Sequence, residues 1–335
     1  MSSGWSVTNR RDFVGAVAGV LVTWPLAIEA QPVAGVPRIG YVAVNRTEVS
    51  QGPLVAFRQG LRECGWVEGK NIVIEVRFAG GNVDQLPALV AELIRLKVDI
   101  IVTTSSATTW VAKDATKSIP IVMGVSADAL GEGLVTSLAH PGGNITGMTY
   151  LVGPEIAGKH LALLREIAPA ASRVAVLANP VNRSHVSLTR ELKLAAQAIG
   201  VPVQVFNAGS PDEIDSAFGA MTKERVAALL VLTDSVFVGQ RLRIARLAAR
   251  NRLPAMYYQR EFVDAGGLIS YGASLSDIYR HAATYVDRIL RGANAGDLPI
   301  EQPTKFELVI NLATAKTLGL TIPQPLLLRA DDVIQ

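Results

Sequence analysis

Small hydroxyl, amide and acidic residues gather where short apolar runs end. Thr103, Thr104, Ser105 and Ser106 follow the run Asp99–Val102, and Ser126 and Asp128 follow Ile119–Val125. Asn45 follows Arg38–Val44, Asn179 and Asn182 follow Arg173–Leu177, and Thr233 and Asp234 follow Ala227–Leu232. These runs are short and β-branched, the pattern of buried parallel strands. In an open α/β sheet, ligands bind beyond the carboxyl ends of the strands, where helix N-termini offer free N–H groups. The chemistry such residues support is recognition by hydrogen bonds. Ser105, Ser106 and Ala107 suit a carboxylate or other anion, or form an ordinary helix cap. Asp128 suits a ligand ammonium, or caps a helix beginning at Ala129. Asp234 is the best candidate for a buried acid facing a cationic group, and a cap for a helix from Val236 is the alternative. Asn45 can donate and accept, or can serve a turn. Tyr257 and Tyr271 offer apolar walls with a polar tip, although Tyr271 fits a plain core position equally well.

Other chemistries find little support. His140, His160, His185 and His281 are scattered, and none stands at metal-ligand spacing from another His, Cys or acid. The single cysteine, Cys64, excludes an internal disulfide and a cysteine-based zinc site. Gly131-Glu132-Gly133 lacks a third glycine at dinucleotide spacing and reads as a turn. Gly65–Lys70 is one residue short of a phosphate loop, lacks a following Ser or Thr, and precedes a strand. Ser184 and His185 are neighbours on a helix and so face different ways, and there is no nucleophile-elbow motif. No catalytic residue, metal or cofactor is therefore expected. Lys+Arg 32 against Asp+Glu 29 is a mild excess without a basic run, and aromatics make up only 6%. Neither feature suits nucleic-acid binding.

The elements that must position these residues alternate. From Arg38 the order is strand, helix, strand, helix to about Met148, and a second set of the same kind runs from Pro154 to Tyr258. Short links between strand and helix imply parallel sheets with right-handed crossovers. The fold class is α/β, with two doubly wound parallel-sheet lobes joined by a hinge. The segment Thr149–Pro154 is the expected first crossing, and the elements after Gly267 complete the two lobes by crossing back. The first 30 residues stand apart. Arg10 and Arg11 precede an apolar run from Val14 to Val22, and Ile28 and Ala30 suit a cleavage site. This is the pattern of a twin-arginine-like export signal, too short to span a bilayer. It directs the mature chain to the periplasm if the source is Gram-negative.

Three long strings carry a resemblance. ADALGEGLVTSLAHPGGNITG, then PAMYYQREFVDAGGLISYGASLSDIYRHAATYVDRILRG, then LPIEQPTKFELVINLATAKTLGLTIPQPLLLRADDVI resemble the ABC-transporter substrate-binding proteins of the tryptophan/tyrosine type. The resemblance covers nearly all of the mature chain. It implies a type I periplasmic-binding fold, with residues 36–149 plus about 259–298 in one lobe and 150–258 plus about 299–335 in the other. It further implies a receptor, acting without catalysis and expected as a monomer. Such a receptor captures an amino acid, aromatic or related, or another small carboxylate, and delivers it to an ABC permease in the inner membrane. A racemase or isomerase, or a ligand-sensing module, could use the same scaffold. Where the family often has a small residue, this chain has Tyr258. Adjacent strand residues point opposite ways, so Tyr257 and Tyr258 cannot both face a cleft.

Overall fold

The computed structural model describes residue 1 and residues 35–45, 47–150 and 154–335. The expected export signal with Arg10 and Arg11, and the middle of the expected first crossing (151–153), lie outside the described residues. No helix among the described residues is long and apolar enough to cross a membrane.

The first lobe starts with β1 (Arg38–Ala43), α1 (Thr47–Glu63), β2 (Val73–Phe78), α2 (Leu86–Arg95), β3 (Ile100–Thr103), α3 (Ser106–Ala115), β4 (Ile121–Ser126) and β5 (Ile145–Thr149). The strands pair in the order β2-β1-β3-β4-β5, all parallel. Ile100–Thr103 is buried at every position, as expected for a central strand covered by helices on both faces.

The second set runs α4 (Pro154–Ile167), β6 (Val174–Ala178), α5 (Ser184–Ala198), β7 (Val203–Asn207), α6 (Pro211–Lys223), β8 (Ala228–Val231), α7 (Ser235–Gly239), α8 (Arg241–Arg250), β9 (Ala255–Tyr257), α9 (Arg260–Asp264) and β10 (Ile269–Ala273). The helix expected from Val236 is thus broken at Gln240. The chain continues through α10 (Leu275–Leu290), β11 (Phe306–Asn311), α11 (Leu312–Thr317), α12 (Gln324–Leu327) and β12 (Asp332–Ile334). The second sheet has the order β12-β11-β10-β9-β8-β6-β7, and β10 with β11 is its antiparallel pair.

Strand pairing locates the later crossings. β10 extends the second sheet beside β9, so the chain does not leave that lobe at residue 259 as expected. It leaves after Ala273, when α10 packs on α1, β4 and β5. The approach of α10 to α1 is close: a Cβ on Gly60 would meet the Arg280 carbonyl oxygen at 2.3 Å. Trp66 donates its indole N–H to Asp287 across the same contact at 2.8 Å. The return falls after Glu301, whose backbone still pairs with Gly147 and Thr149.

Each sheet reverses its strand order once, between β1 and β3 in the first and between β6 and β8 in the second. Such a reversal leaves a crevice beyond the strand ends. Asn45 and Thr104–Ala107 flank the first crevice, and Asn179, Asn182, Thr233 and Asp234 flank the second.

Candidate functional site

A cavity of about 360 Å³ draws its walls from both lobes. That lies at the small end of the range for ligand sites, roughly 300–1,000 Å³. From the first lobe it receives Asn45, Ser105, Ser106 and Ala107, and from the second Asn179, Asn182 and Asp234. Ser126, Asp128, Tyr257 and Tyr271 are not among its walls.

On the first lobe, Ser105 stands just before α3 and closes a capping box. Its hydroxyl accepts from the Thr108 N–H at 3.3 Å, and the Thr108 hydroxyl accepts from the N–H groups of Thr104 and Ser105, each at 3.0 Å. Ser105 therefore serves as the helix cap and its hydroxyl is engaged. The next two residues, Ser106 and Ala107, are in the first turn, where N–H groups lack intrahelical acceptors.

Glu132 sits behind this turn and also lines the cavity. Its N–H donates to the Asp128 carbonyl at 2.9 Å, so one turn of chain folds the side chain back over Ser106. Ser106 donates its hydroxyl to Glu132 Oε1 at 2.6 Å, and the Asp128 N–H donates to the same oxygen at 3.2 Å. Burial pushes the Glu132 carboxyl up, opposed by the hydrogen bonds from Ser106 and Asp128.

Ser126 and Asp128 end β4, one strand away from the crevice. Ser126 is buried against Ser106. Asp128 accepts from the Gly131 N–H at 2.8 Å, organising the turn, and from Ser187 of the second lobe at 3.3 Å. Asp128 therefore joins the lobes outside the cavity.

On the second lobe, Asp234 is filled by protein donors. Oδ1 accepts from the N–H groups of Val236 and Phe237 at 2.8 and 3.3 Å. Oδ2 accepts from the Asn182 and Asn179 amides at 2.8 and 3.2 Å. A carboxylate offers about four lone-pair sites, so the expected acid for a ligand cation is instead the cap of α7 and the tie between two loops. His185 makes a second tie. Its Nδ1 accepts from the Asn179 N–H at 2.7 Å, and its Nε2–H donates to the Thr233 carbonyl at 3.0 Å.

The expectation for the two tyrosines is corrected. Tyr257 is fully buried and stacks on Phe262 with centroids 4.7 Å apart. Tyr258 is buried on the other face against His160, at 3.9 Å. Tyr271 lies between His160 and Phe306. All three belong to β9, β10 or the residue just after, where helices cover both faces and a side chain packs into the core. The aromatic walls come from elsewhere: Tyr41 on β1, Trp110 on α3, Tyr150 after β5 and Tyr279 on α10. Tyr279 donates to the Thr104 carbonyl at 3.2 Å. Glu261 on α9 completes the second-lobe wall; burial pushes its carboxyl up.

Three contacts join the lobes around the cavity. The Arg183 guanidinium lies 4.1 Å from the centroid of Trp110. Ser187 meets Asp128, as above. Asn45 Oδ1 lies 2.6 Å from where a Cβ on Gly239 would stand, so a side chain at 239 would push Asn45 away.

Among the described residues no group of three His, Cys, Asp or Glu is arranged to hold a metal ion. His281 pairs with Glu301 at 2.8 Å, and Cys64 is a half-buried free thiol.

Sequence and fold comparisons agree with this geometry. A tyrosine-binding protein of Clostridioides difficile (strain R20291) is 25% identical over 264 residues, 79% of this chain and 75% of that protein. A solved structure of a conserved domain protein from Vibrio cholerae matches with a TM-score of 0.84 at 28% identity, covering 89% of this chain and 99% of that one. The structure of an ABC domain from Streptococcus pneumonia in complex with L-Trp shares the fold, with a TM-score of 0.84, 24% identity and the same coverage. The model of the ABC transporter substrate-binding protein family matches residues 49–334. With its two α/β lobes and the cavity between them, the chain belongs to that family.

Proposed function

We propose that this protein is the exported, periplasmic receptor of an ABC importer, and that it captures an aromatic amino acid for an inner-membrane permease. The observation that carries this reading is the cavity itself, lined by hydrogen-bonding loops from both lobes and by the rings of Tyr41, Trp110 and Tyr279. A zwitterionic head with an aromatic body matches this combination of lining groups. The first turn of α3, with the Ser106 and Ala107 N–H groups, suits the carboxylate. Relatives named for tyrosine and solved with L-Trp support the same class of guest. The mechanism is capture: a ligand that touches both lobes stabilises the arrangement in which they meet, by as much as its differential affinity for it. The permease then reads that arrangement. The test is isothermal titration of the purified mature chain against the twenty amino acids and a set of small carboxylates. Micromolar or tighter binding of L-tryptophan, L-tyrosine or L-phenylalanine is expected. No binding across the panel overturns the reading.

A further inference from the structure

We infer that Glu132, and not Asp234, is the acid that receives the ammonium group of the captured amino acid. The inference rests on the receptor reading above and assigns one contact within it.

Glu132 is 8% exposed, and its Oε2 is buried without a hydrogen-bond partner among the described residues. An unsatisfied buried carboxylate oxygen is costly, about 1–3 kcal/mol or more. The direction of the neighbouring bonds says what it awaits. The Ser106 hydroxyl accepts from the Ala127 N–H at 3.2 Å, so its own proton is directed to Glu132 Oε1. The Asp128 N–H donates to that same oxygen. The Trp110 indole N–H is a further near donor that favours the ionised carboxyl, and it too is buried without a hydrogen-bond partner. These neighbours are donors, which favour the ionised carboxylate against the burial and the Asp128 charge that push the carboxyl up. Glu132 lines the cavity, and its remaining oxygen, buried beside it, has room in its hydrogen bonding for one more donor.

The rival acids fit less well. Asp234 already accepts four hydrogen bonds from the protein. Glu261 has the charges of Arg260 and Arg241 acting on it. Glu132 also adjoins the first turn of α3 through Ser106, so a carboxylate at the Ser106 and Ala107 N–H groups brings its α-ammonium toward Glu132. One head group then satisfies both.

The test compares L-tryptophan and L-tyrosine with their des-amino counterparts, 3-(indol-3-yl)propanoate and 3-(4-hydroxyphenyl)propanoate, by titration calorimetry. Wild type is expected to prefer the amino acids. Glu132→Gln keeps the shape and removes the charge. It should weaken amino-acid binding about 10- to 100-fold, the scale of a hydrogen bond to a charged group, and change des-amino binding less than threefold. Ser106→Ala, which frees Glu132 Oε1, should show a smaller loss with the same selectivity, and it serves if Glu132→Gln does not fold. Equal losses for both ligand types overturn the assignment alone. Failure of wild type to bind any of the four compounds overturns the receptor reading and this assignment with it.

Discussion

Arg183 of the second lobe lies over the indole of Trp110 of the first, its guanidinium carbon 4.1 Å from the ring centroid. The pair stands at the rim of the cavity, and Lys113 also lies over the ring at 4.6 Å. A cation over an indole contributes about 0.5–2 kcal/mol, depending on desolvation. The contact exists only while the lobes meet, so it favours the ligand-holding arrangement without touching the encounter step. Arg183→Ala should therefore raise the ligand dissociation rate about 2- to 30-fold and leave the association rate nearly unchanged. Stopped-flow tryptophan fluorescence measures both rates. A change confined to association would refute the clasp.

Asp234 gives a prediction of the opposite kind, because its bonds all run to protein. Asp234→Ala strips the cap of α7 and leaves the Asn179 and Asn182 amides without their acceptor. Loss of a cap costs about 1 kcal/mol, and loss of hydrogen bonds to a charged group about 1.5–3 kcal/mol. A destabilisation of about 3 kcal/mol is expected in urea unfolding. Ligand affinity should fall alike for amino acids and their des-amino counterparts, since the whole loop is displaced. A loss selective for the amino acid would return Asp234 to the role of ligand acid.

Tyr150 joins the first crossing to the second. Its hydroxyl donates to the Tyr258 carbonyl at 2.9 Å and accepts from the Ala273 N–H at 2.7 Å. Both partners are backbone groups of the second lobe, at the end of β10 and just past β9. Tyr150→Phe leaves a buried N–H and a buried carbonyl unpaired, at about 1–3 kcal/mol for each group left unsatisfied. A loss of about 3 kcal/mol is expected, lowering the thermal midpoint by about 2 °C per kcal/mol at this chain length. An unchanged midpoint would show that these groups find other partners.

The alternation of strand and helix was readable because each strand is a short β-branched run with a polar stop, and that stop is where a loop residue sits. Asn45, Ser106, Asn179 and Asp234 therefore fell on the cavity. What the sequence does not encode locally is strand order. Ser126 and Asp128 end β4 with the same signature that Ser105 and Ser106 give β3, yet only β3 borders the reversal. Tyr257 and Tyr271 have the right chemistry for a wall, but their strands are covered on both faces. Trp110 and Tyr279 reach the cavity from helices, and Tyr279 belongs to a helix that returns from the other lobe, which no local pattern announces. Glu132 had one legible signal, an acid four residues past Asp128 between two glycines, the spacing of a single helical turn.

His185 ties Asn179 to Thr233 only as a neutral ring with its proton on Nε2, because Nδ1 must accept from the Asn179 N–H. Protonation would set one N–H against another. Burial lowers its pKa, against the raising effect of the Asp234 charge. His160, packed against Tyr258, differs in its partners, since both ring nitrogens face carbonyls, of Ile156 and Tyr271, yet burial outweighs those contacts and holds its pKa at about 4. In both cases the unfolded chain takes up a proton near pH 6.5 while the folded chain does not. Their contribution to stability is thus present above about pH 6.5 and is lost as pH falls toward the lowered folded values. For His160 the full loss is about 3 kcal/mol. Urea unfolding at intervals from pH 7.5 to 4.5 should show stability falling throughout the lower part of that window. His185→Gln should shallow the fall and weaken ligand binding at pH 7.5, because Asn179 and Thr233 line the cavity. If His185→Gln binds ligand as wild type does at every pH, His185 does not position those loops.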